Sequence, residues 1–192
     1  MLRSFGRFLK RSLLARYPDD TKLIAGRIAR HLESGETVLA AVFVQSPGTI
    51  SARMQGGASA GGSAALGHYG GDFPGGDKRH ALWKQQFEQL GIDPELAQRT
   101  TKVVVAVTTS RLLLVRRRTA TGRMRELLAA WPAGEIDRVT VPRRGNSLRI
   151  VRDGAELRCE LPNEHRFLAD VYRDLPAIFA EVQATSRPGS DA

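Results

Sequence analysis

The sequence predicts an α+β protein that is mainly β, with helices before and after the strands. Residues 37–45 are rich in Val and Ala with one Phe, as in a buried strand. Residues 101–161 alternate short apolar segments with turns at the spacing of a sandwich or barrel. After residue 163, apolar residues recur at helical spacing. A length of 192 residues suits one core of ordinary size with extensions.

The first 17 residues carry five cationic side chains and no acidic one. On a helical wheel, Leu and Phe fall on one side and most of the cations on the other, which is typical of a helix lying in a membrane interface. We predict that these residues contact an anionic lipid or an acidic protein: Leu2, Arg3, Phe5, Arg7, Phe8, Leu9, Lys10 and Arg11. Docking of this helix on its own domain or on a partner, and disorder, are the alternatives.

The next elements follow from apolar spacing and turn residues. Residues 21–32 are predicted as a helix with Ile24, Ile28 and Leu32 on one stripe, and residues 37–45 as the first strand. Ten of the 30 residues in 47–76 are Gly, so this segment is expected to be a flexible insertion. Residues 81–90 are predicted as a helix, and Asp93 is expected to cap a further helical turn.

Six strands are predicted after residue 101, at 102–108, 111–117, 125–130, 136–141, 147–152 and 155–161. Asp153 and Gly154 form the hairpin turn between the last two strands, whose alternation points Cys159 inward. The final helix should begin after Asn163. Pro176 predicts a kink in it, or a restart with Asp174 as the N-cap.

Three segments resemble bacterial pleckstrin-homology-like (GRAM-like) domains: HLESGETVLAAV at 31–42, VVVAVTTSRLLLV at 103–115 with its Thr-x-x-Arg turn, and DGAELRCELP at 153–162. The resemblance covers 21–46 and 82–184. It implies a partly open seven-stranded barrel of two nearly orthogonal sheets, capped by the C-terminal helix. It also implies a binding scaffold for acidic lipids or proteins. The predicted domain is 21–184, interrupted by 47–76, with a disordered tail at 185–192.

Five arginines bracket one predicted hairpin: Arg116, Arg117, Arg118, Arg123 and Arg125. Guanidinium groups hold phosphates with paired hydrogen bonds, so these residues are candidates for contact with a phosphate or another acidic ligand. The alternative is a charged hairpin that is simply solvated.

Catalytic and cofactor chemistry is not expected. The single cysteine, Cys159, has no paired base, and no catalytic triad, P-loop or dinucleotide fingerprint occurs. The spacing of His68, Asp72, Asp77 and His80 fits no known metal site. We therefore expect a protein that is not an enzyme, with no catalytic residue, metal or cofactor.

The formal charge of +9 favours acidic partners. An anionic lipid or acidic protein is the predicted partner, at the inner face of the plasma membrane or in the cytoplasm, since no secretory signal or membrane span is recognised. Non-specific nucleic-acid binding is the alternative, although few aromatic residues lie beside the arginines to stack on bases. Self-association through the N-terminal helix is a third interpretation.

Overall fold

The computed structural model describes residues 20–47, 76–98, 100, 102–117, 124–142, 147–160 and 169–186. The helices are α1 (Asp20–Ile28), α2 (Gly76–Gln89), α3 (Pro94–Gln98) and α4 (Ala169–Ser186), with 3₁₀ turns at Ala29–His31 and Ala133–Glu135. The strands are β1 (Val38–Gln45), β2 (Lys102–Thr108), β3 (Arg111–Arg117), β4 (Met124–Pro132), β5 (Arg138–Thr140), β6 (Ser147–Arg152) and β7 (Ala155–Glu160).

The strands form one antiparallel sheet in the order β4-β3-β2-β1-β7-β6-β5. β1 joins the two halves: it pairs with β2 along its whole length and meets β7 where Gln45 lies opposite Glu160. β4 and β5 are the edge strands of this order. The fold is therefore an open seven-stranded antiparallel sheet with helices, α+β and mainly β, as the sequence predicts at this level.

One face of the sheet carries the larger core. Alternate residues of β1, β2 and β3, such as Val42, Val105 and Leu114, pack there with side chains from α2 and α4. Trp83 and Phe87 of α2 meet edge to face, with ring centroids 4.6 Å apart. The indole N–H of Trp83 donates to the carbonyl of Thr100 at 2.9 Å, so burial of the indole leaves its donor satisfied.

The opposite face of the same strands is covered by α1. Ile24 and Ile28 are fully buried against residues of β1 to β4, among them Phe43 and Leu113. Since β1, β2 and β3 are covered on both faces, both alternating sets of side chains are apolar. This explains why these strands read as continuous apolar runs in the sequence.

Hydrogen bonds hold both ends of α1 and its 3₁₀ turn to the sheet. The backbone N–H of Ala41 in β1 donates to the hydroxyl of Thr21 at 3.2 Å. The Arg30 guanidinium donates to the carbonyls of Met124, at 3.1 Å, and Arg125 in the edge strand β4. From Thr21 to Arg30 the rise along the helix is about 14 Å, which is close to the width of three strand spacings, also about 14 Å. The helix therefore crosses the four strands from β1 to β4.

The predicted boundaries of several elements need correction. The α-helix predicted over 21–32 ends at Ile28 and continues as a 3₁₀ turn. α2 begins at Gly76, within the predicted insertion, and α4 runs to Ser186, within the predicted tail. The strand predicted at 136–141 is shorter, at Arg138–Thr140.

The predicted restart of the last helix is wrong, because α4 runs unbroken through Pro176. Proline inside a helix costs about 3 kcal/mol. Leu175 and Phe179, on either side of it, are buried in the core. Each contributes about 1.5–3 kcal/mol on burial, which offsets that cost. The predicted start of this helix near Asn163 lies outside the described residues.

Local predictions about the last hairpin are confirmed. Asp153 and Gly154 both have positive φ, at 51° and 76°, as this tight turn requires. Leu157 and Cys159 are fully buried, while Arg158 between them is exposed. The predicted N-cap is confirmed too, since the Asp93 carboxylate accepts from the backbone N–H of Glu95 at 2.8 Å.

Candidate functional site

Two of the segments that carry the resemblance, 31–42 with Gly35-Glu36 and 103–115 with its Thr-x-x-Arg turn, meet in one buried ion pair between Glu36 and Arg111. Arg111 donates to the Glu36 carboxylate from Nε at 3.0 Å and from Nη2 at 2.5 Å. Gly35, with φ of 80°, makes the turn that leads into Glu36. The hydroxyls of Thr108 and Ser110 also donate to this carboxylate.

Hydrogen bonds from its neighbours determine the ionisation of Glu36. Its side chain is only 3% exposed, and burial alone would raise its pKa. The hydrogen bonds from Arg111, Thr108 and the backbone N–H of Glu33 outweigh burial and lower the pKa to about 2. The same pairing raises the pKa of Arg111. Glu36 is therefore a permanent carboxylate at neutral pH.

The Glu36–Arg111 pair is closed to ligands. Arg111 also pairs with Glu33 at 2.7 Å and donates to the carbonyl of His31 at 3.4 Å. These bonds join the segment between α1 and β1 to the β2–β3 hairpin. The pair is therefore a structural contact, and the anion-binding candidates must be sought among other residues.

The predicted arginine hairpin is only partly described. Arg116 is held by Glu126, with Nε at 2.5 Å and Nη2 at 2.8 Å from the carboxylate, which raises the pKa of Arg116 and lowers that of Glu126. Arg117 lies with its guanidinium 4.4 Å from the ring centroid of Phe43. Strand alternation places these two arginines on opposite faces of the sheet.

Arg125 lies on the edge strand β4, beside Met124, which is opposite Arg117 in the sheet. Its Nε is buried and has no hydrogen-bond acceptor among the described residues. The Nε atoms of Arg149 and Arg152 also lack an acceptor, but each lies 3.6 Å from a carboxylate. Arg125 forms no salt bridge in the described ranges, although its charge contributes to lowering the pKa of Glu126, and it is the candidate for contact with an anion among the described hairpin arginines.

The remaining predicted contact residues lie outside the described residues: Leu2, Arg3, Phe5, Arg7, Phe8, Leu9, Lys10, Arg11, Arg118 and Arg123. Of the predicted set, the structure pairs Arg116 with Glu126, whose pKa the charge of Arg125 also lowers, and places Arg117 over the ring of Phe43.

Lys22, Arg27 and Arg30 are cations that the sequence analysis did not select. All three are exposed, on α1 or the 3₁₀ turn that follows it. Residues 21–31 contain these three cations and no acid, so the sequence alone could have indicated a positively charged helix face. The contact of Arg30 with the backbone of Arg125 could not be predicted from the sequence, because it depends on the fold.

His31 lies against the same edge strand. Its Nε2 is 3.1 Å from the carbonyl of Arg125 and 3.2 Å from the donor Nε of Arg30. Burial lowers the pKa of His31, the hydrogen bond to the Arg125 carbonyl opposes this, and the charge of Arg30 lowers it further. The neutral imidazole is therefore favoured beside these arginines.

Other chemistry is limited in the part of the chain that the structure describes. No group of three His, Cys, Asp or Glu side chains there is placed to hold a metal ion. Complete burial raises the pKa of the Cys159 thiol, so the reactive thiolate is disfavoured. No helix in these ranges has the length and apolar character to cross a membrane.

Comparisons with family models, curated proteins and solved structures found no match for this chain.

Proposed function

We propose that this chain is a non-catalytic binding protein with a pleckstrin-homology-like domain, which attaches to an acidic membrane surface or an acidic protein. The strand order and the C-terminal helix support the domain type, because the resemblance implies seven strands followed by a helix. We also propose that the sheet closes into a partly open barrel, with α4 capping one end.

The charge of Arg125 carries the binding part of the proposal. Arg125 forms no salt bridge with any described residue, so its guanidinium can pair with a phosphate or carboxylate of a partner. A charge of +9, with five cations and no acid in the first 17 residues, favours an extended anionic partner over a small isolated anion.

A membrane is the partner that the N-terminal segment favours. Leu2, Phe5, Phe8 and Leu9 give it apolar groups opposite its cations. Apolar burial in the headgroup region and attraction to anionic lipid then act together. We therefore place the protein in the cytoplasm, peripheral to the inner face of the plasma membrane.

The test is sedimentation with vesicles of phosphatidylcholine alone and of an equal mixture with phosphatidylglycerol. We expect the full chain to bind only the anionic vesicles, and residues 18–192 to bind them more weakly. The double variant Phe5→Glu, Phe8→Glu should release the full chain. Equal binding of the wild type and the double variant would contradict the role of the N-terminal segment. No binding to anionic vesicles would remove the membrane proposal.

A further inference from the structure

We propose that the outward face of α1, with its 3₁₀ turn, is a second docking surface for an anionic lipid bilayer. This inference rests on the proposed function and says which folded surface meets the membrane. Ile24 and Ile28 are fully buried against the sheet, whereas Lys22, Arg27 and Arg30 are exposed. Residues 21–31 contain no acid, and the nearest acid on the N-terminal side is Asp20, the first residue of α1.

Among the residues that the structure describes, no ion pair cancels the charges on this face. Arg30 donates to the carbonyls of Met124 and Arg125, which are neutral acceptors. Glu33 and Glu36, the next acids along the chain, are both paired with Arg111. Lys22 and Arg27 form no ion pair with any residue that the structure describes. Within the described ranges, no acid therefore neutralises these three cations.

The shape of this surface suits a membrane. From Thr21 to Arg30, α1 and its 3₁₀ turn cross four strands over about 14 Å, so the cations are spread along the surface of the sheet rather than gathered round one point. The backbone of Arg125 lies at the end of this face, where Arg30 contacts β4.

Continuity with the chain before α1 favours lipid over nucleic acid. α1 begins three residues after the basic segment 1–17, whose Phe and Leu side chains suit the interior of a bilayer. Nucleic acid offers phosphate but no hydrocarbon phase for those side chains. The same membrane would therefore receive both the apolar groups of the segment and the cations of α1.

A fluorescent label on α1 tests this contact. Gly26 is exposed on α1, and a Cβ added there would meet nothing within 4 Å, so Gly26→Cys should fold normally. The native Cys159 is fully buried, so a nitrobenzoxadiazole label will react with the introduced thiol. Gly134→Cys is the matched control. Gly134 is also exposed with open space around it, beside Ala133, which packs in the core on the other face.

With phosphatidylglycerol vesicles, we expect a blue-shifted emission from the label at residue 26 and an unchanged spectrum from the label at residue 134. A shift at both positions, or at neither while the full chain sediments with the vesicles, would overturn the inference and leave the proposed function standing. Absence of sedimentation by the wild type would overturn both.

Charge reversal gives a second, independent measurement. Lys22→Glu with Arg27→Glu should weaken partitioning of the full chain to anionic vesicles by at least about tenfold, since each cation near such a surface contributes to binding. The control Arg138→Glu with Arg158→Glu changes net charge equally at exposed positions on β5 and β7. Equal losses in the two variants would mean that net charge alone governs binding, and would overturn the inference.

Discussion

Glu36 shows how a single buried carboxylate can organise a local structure. Its side chain is 3% exposed and accepts hydrogen bonds from Arg111, Thr108, Ser110 and the backbone of Glu33. A buried pair of this kind adds little when compared with apolar residues, but loss of one partner leaves the other charge unsatisfied. Its main effect is therefore to hold β1 beside the β2–β3 hairpin.

Removal of this charge should destabilise the protein strongly. We expect Glu36→Gln to lower the free energy of unfolding by about 3 kcal/mol, because Arg111 loses its buried counterion. Glu33→Gln is the matched control: it pairs with the same arginine but is 70% exposed, and should cost less than about 1 kcal/mol. Urea denaturation at neutral pH would measure both. Equal costs would contradict the assigned difference in burial.

The pH dependence of the free energy of unfolding should report the ionisation of Glu36. The pKa of Glu36 is lowered from 4.5 to about 2, so its contribution is complete above pH 4.5 and is lost as the pH falls through the folded pKa. That contribution is about 3 kcal/mol. The difference in stability between the wild type and Glu36→Gln should therefore shrink as the pH falls from 4.5 towards 2. A constant difference across this range would contradict the prediction.

At the scale of elements, α1 decides the character of the sheet. A strand with one face in water normally alternates apolar and polar residues. β1, β2 and β3 instead carry apolar residues on both faces, because α1 covers the side that α2 and α4 leave open. Thr21 and Arg30 attach this helix at β1 and at β4. α1 is thus part of the folded domain.

Loss of the buried side chains of α1 should expose this second core. Ile24→Ala and Ile28→Ala should each lower the free energy of unfolding by about 2–5 kcal/mol, as expected for truncation of a fully buried isoleucine. Lys22→Ala, on the exposed side of the same helix, should change it by no more than about 0.5 kcal/mol. Thermal unfolding would show a large drop in the midpoint temperature for Ile24→Ala and Ile28→Ala but not for Lys22→Ala. A small effect at Ile24 or Ile28 would mean that α1 packs loosely.

At the scale of the whole molecule, the charge of +9 determines how binding should respond to salt. The screening length falls from about 10 Å at 0.1 M to about 3 Å at 1 M salt. Binding of the full chain to anionic vesicles should therefore weaken as salt is raised over this range, with the apolar contribution of Phe5 and Phe8 less affected. Co-sedimentation at each salt concentration would measure the fraction of protein bound to the vesicles. Binding that does not change with salt would contradict the electrostatic part of the proposal.

Two further measurements address the alternatives. Binding of duplex DNA that survives truncation to residues 18–192 and displaces vesicles would favour the nucleic-acid interpretation over the membrane one. A native mass of the full chain above that of one chain, reduced to one chain by the same truncation, would favour self-association through the N-terminal helix.

The sequence by itself determined the element types of the described fold. Strands β2, β3 and β6 occur at their predicted bounds, and the Asp153-Gly154 turn and inward Cys159 follow from turn chemistry and alternation. These features depend on residues close together along the chain, so local patterns reveal them. Element ends were less predictable: α4 continues through Pro176, because burial of its neighbours compensates for the break.

Only the tertiary structure decided what the charged side chains do. Glu36 and Arg111 are 75 positions apart, Arg30 and Arg125 are 95 apart, and Arg117 meets Phe43 across the sheet. The sequence grouped Arg116, Arg117 and Arg125 by proximity along the chain, but strand alternation separates Arg117, which lies over Phe43, from Arg116, which pairs with Glu126. A charge acts through the groups around it in space. Those groups come from distant segments, which only the folding of the sheet brings together.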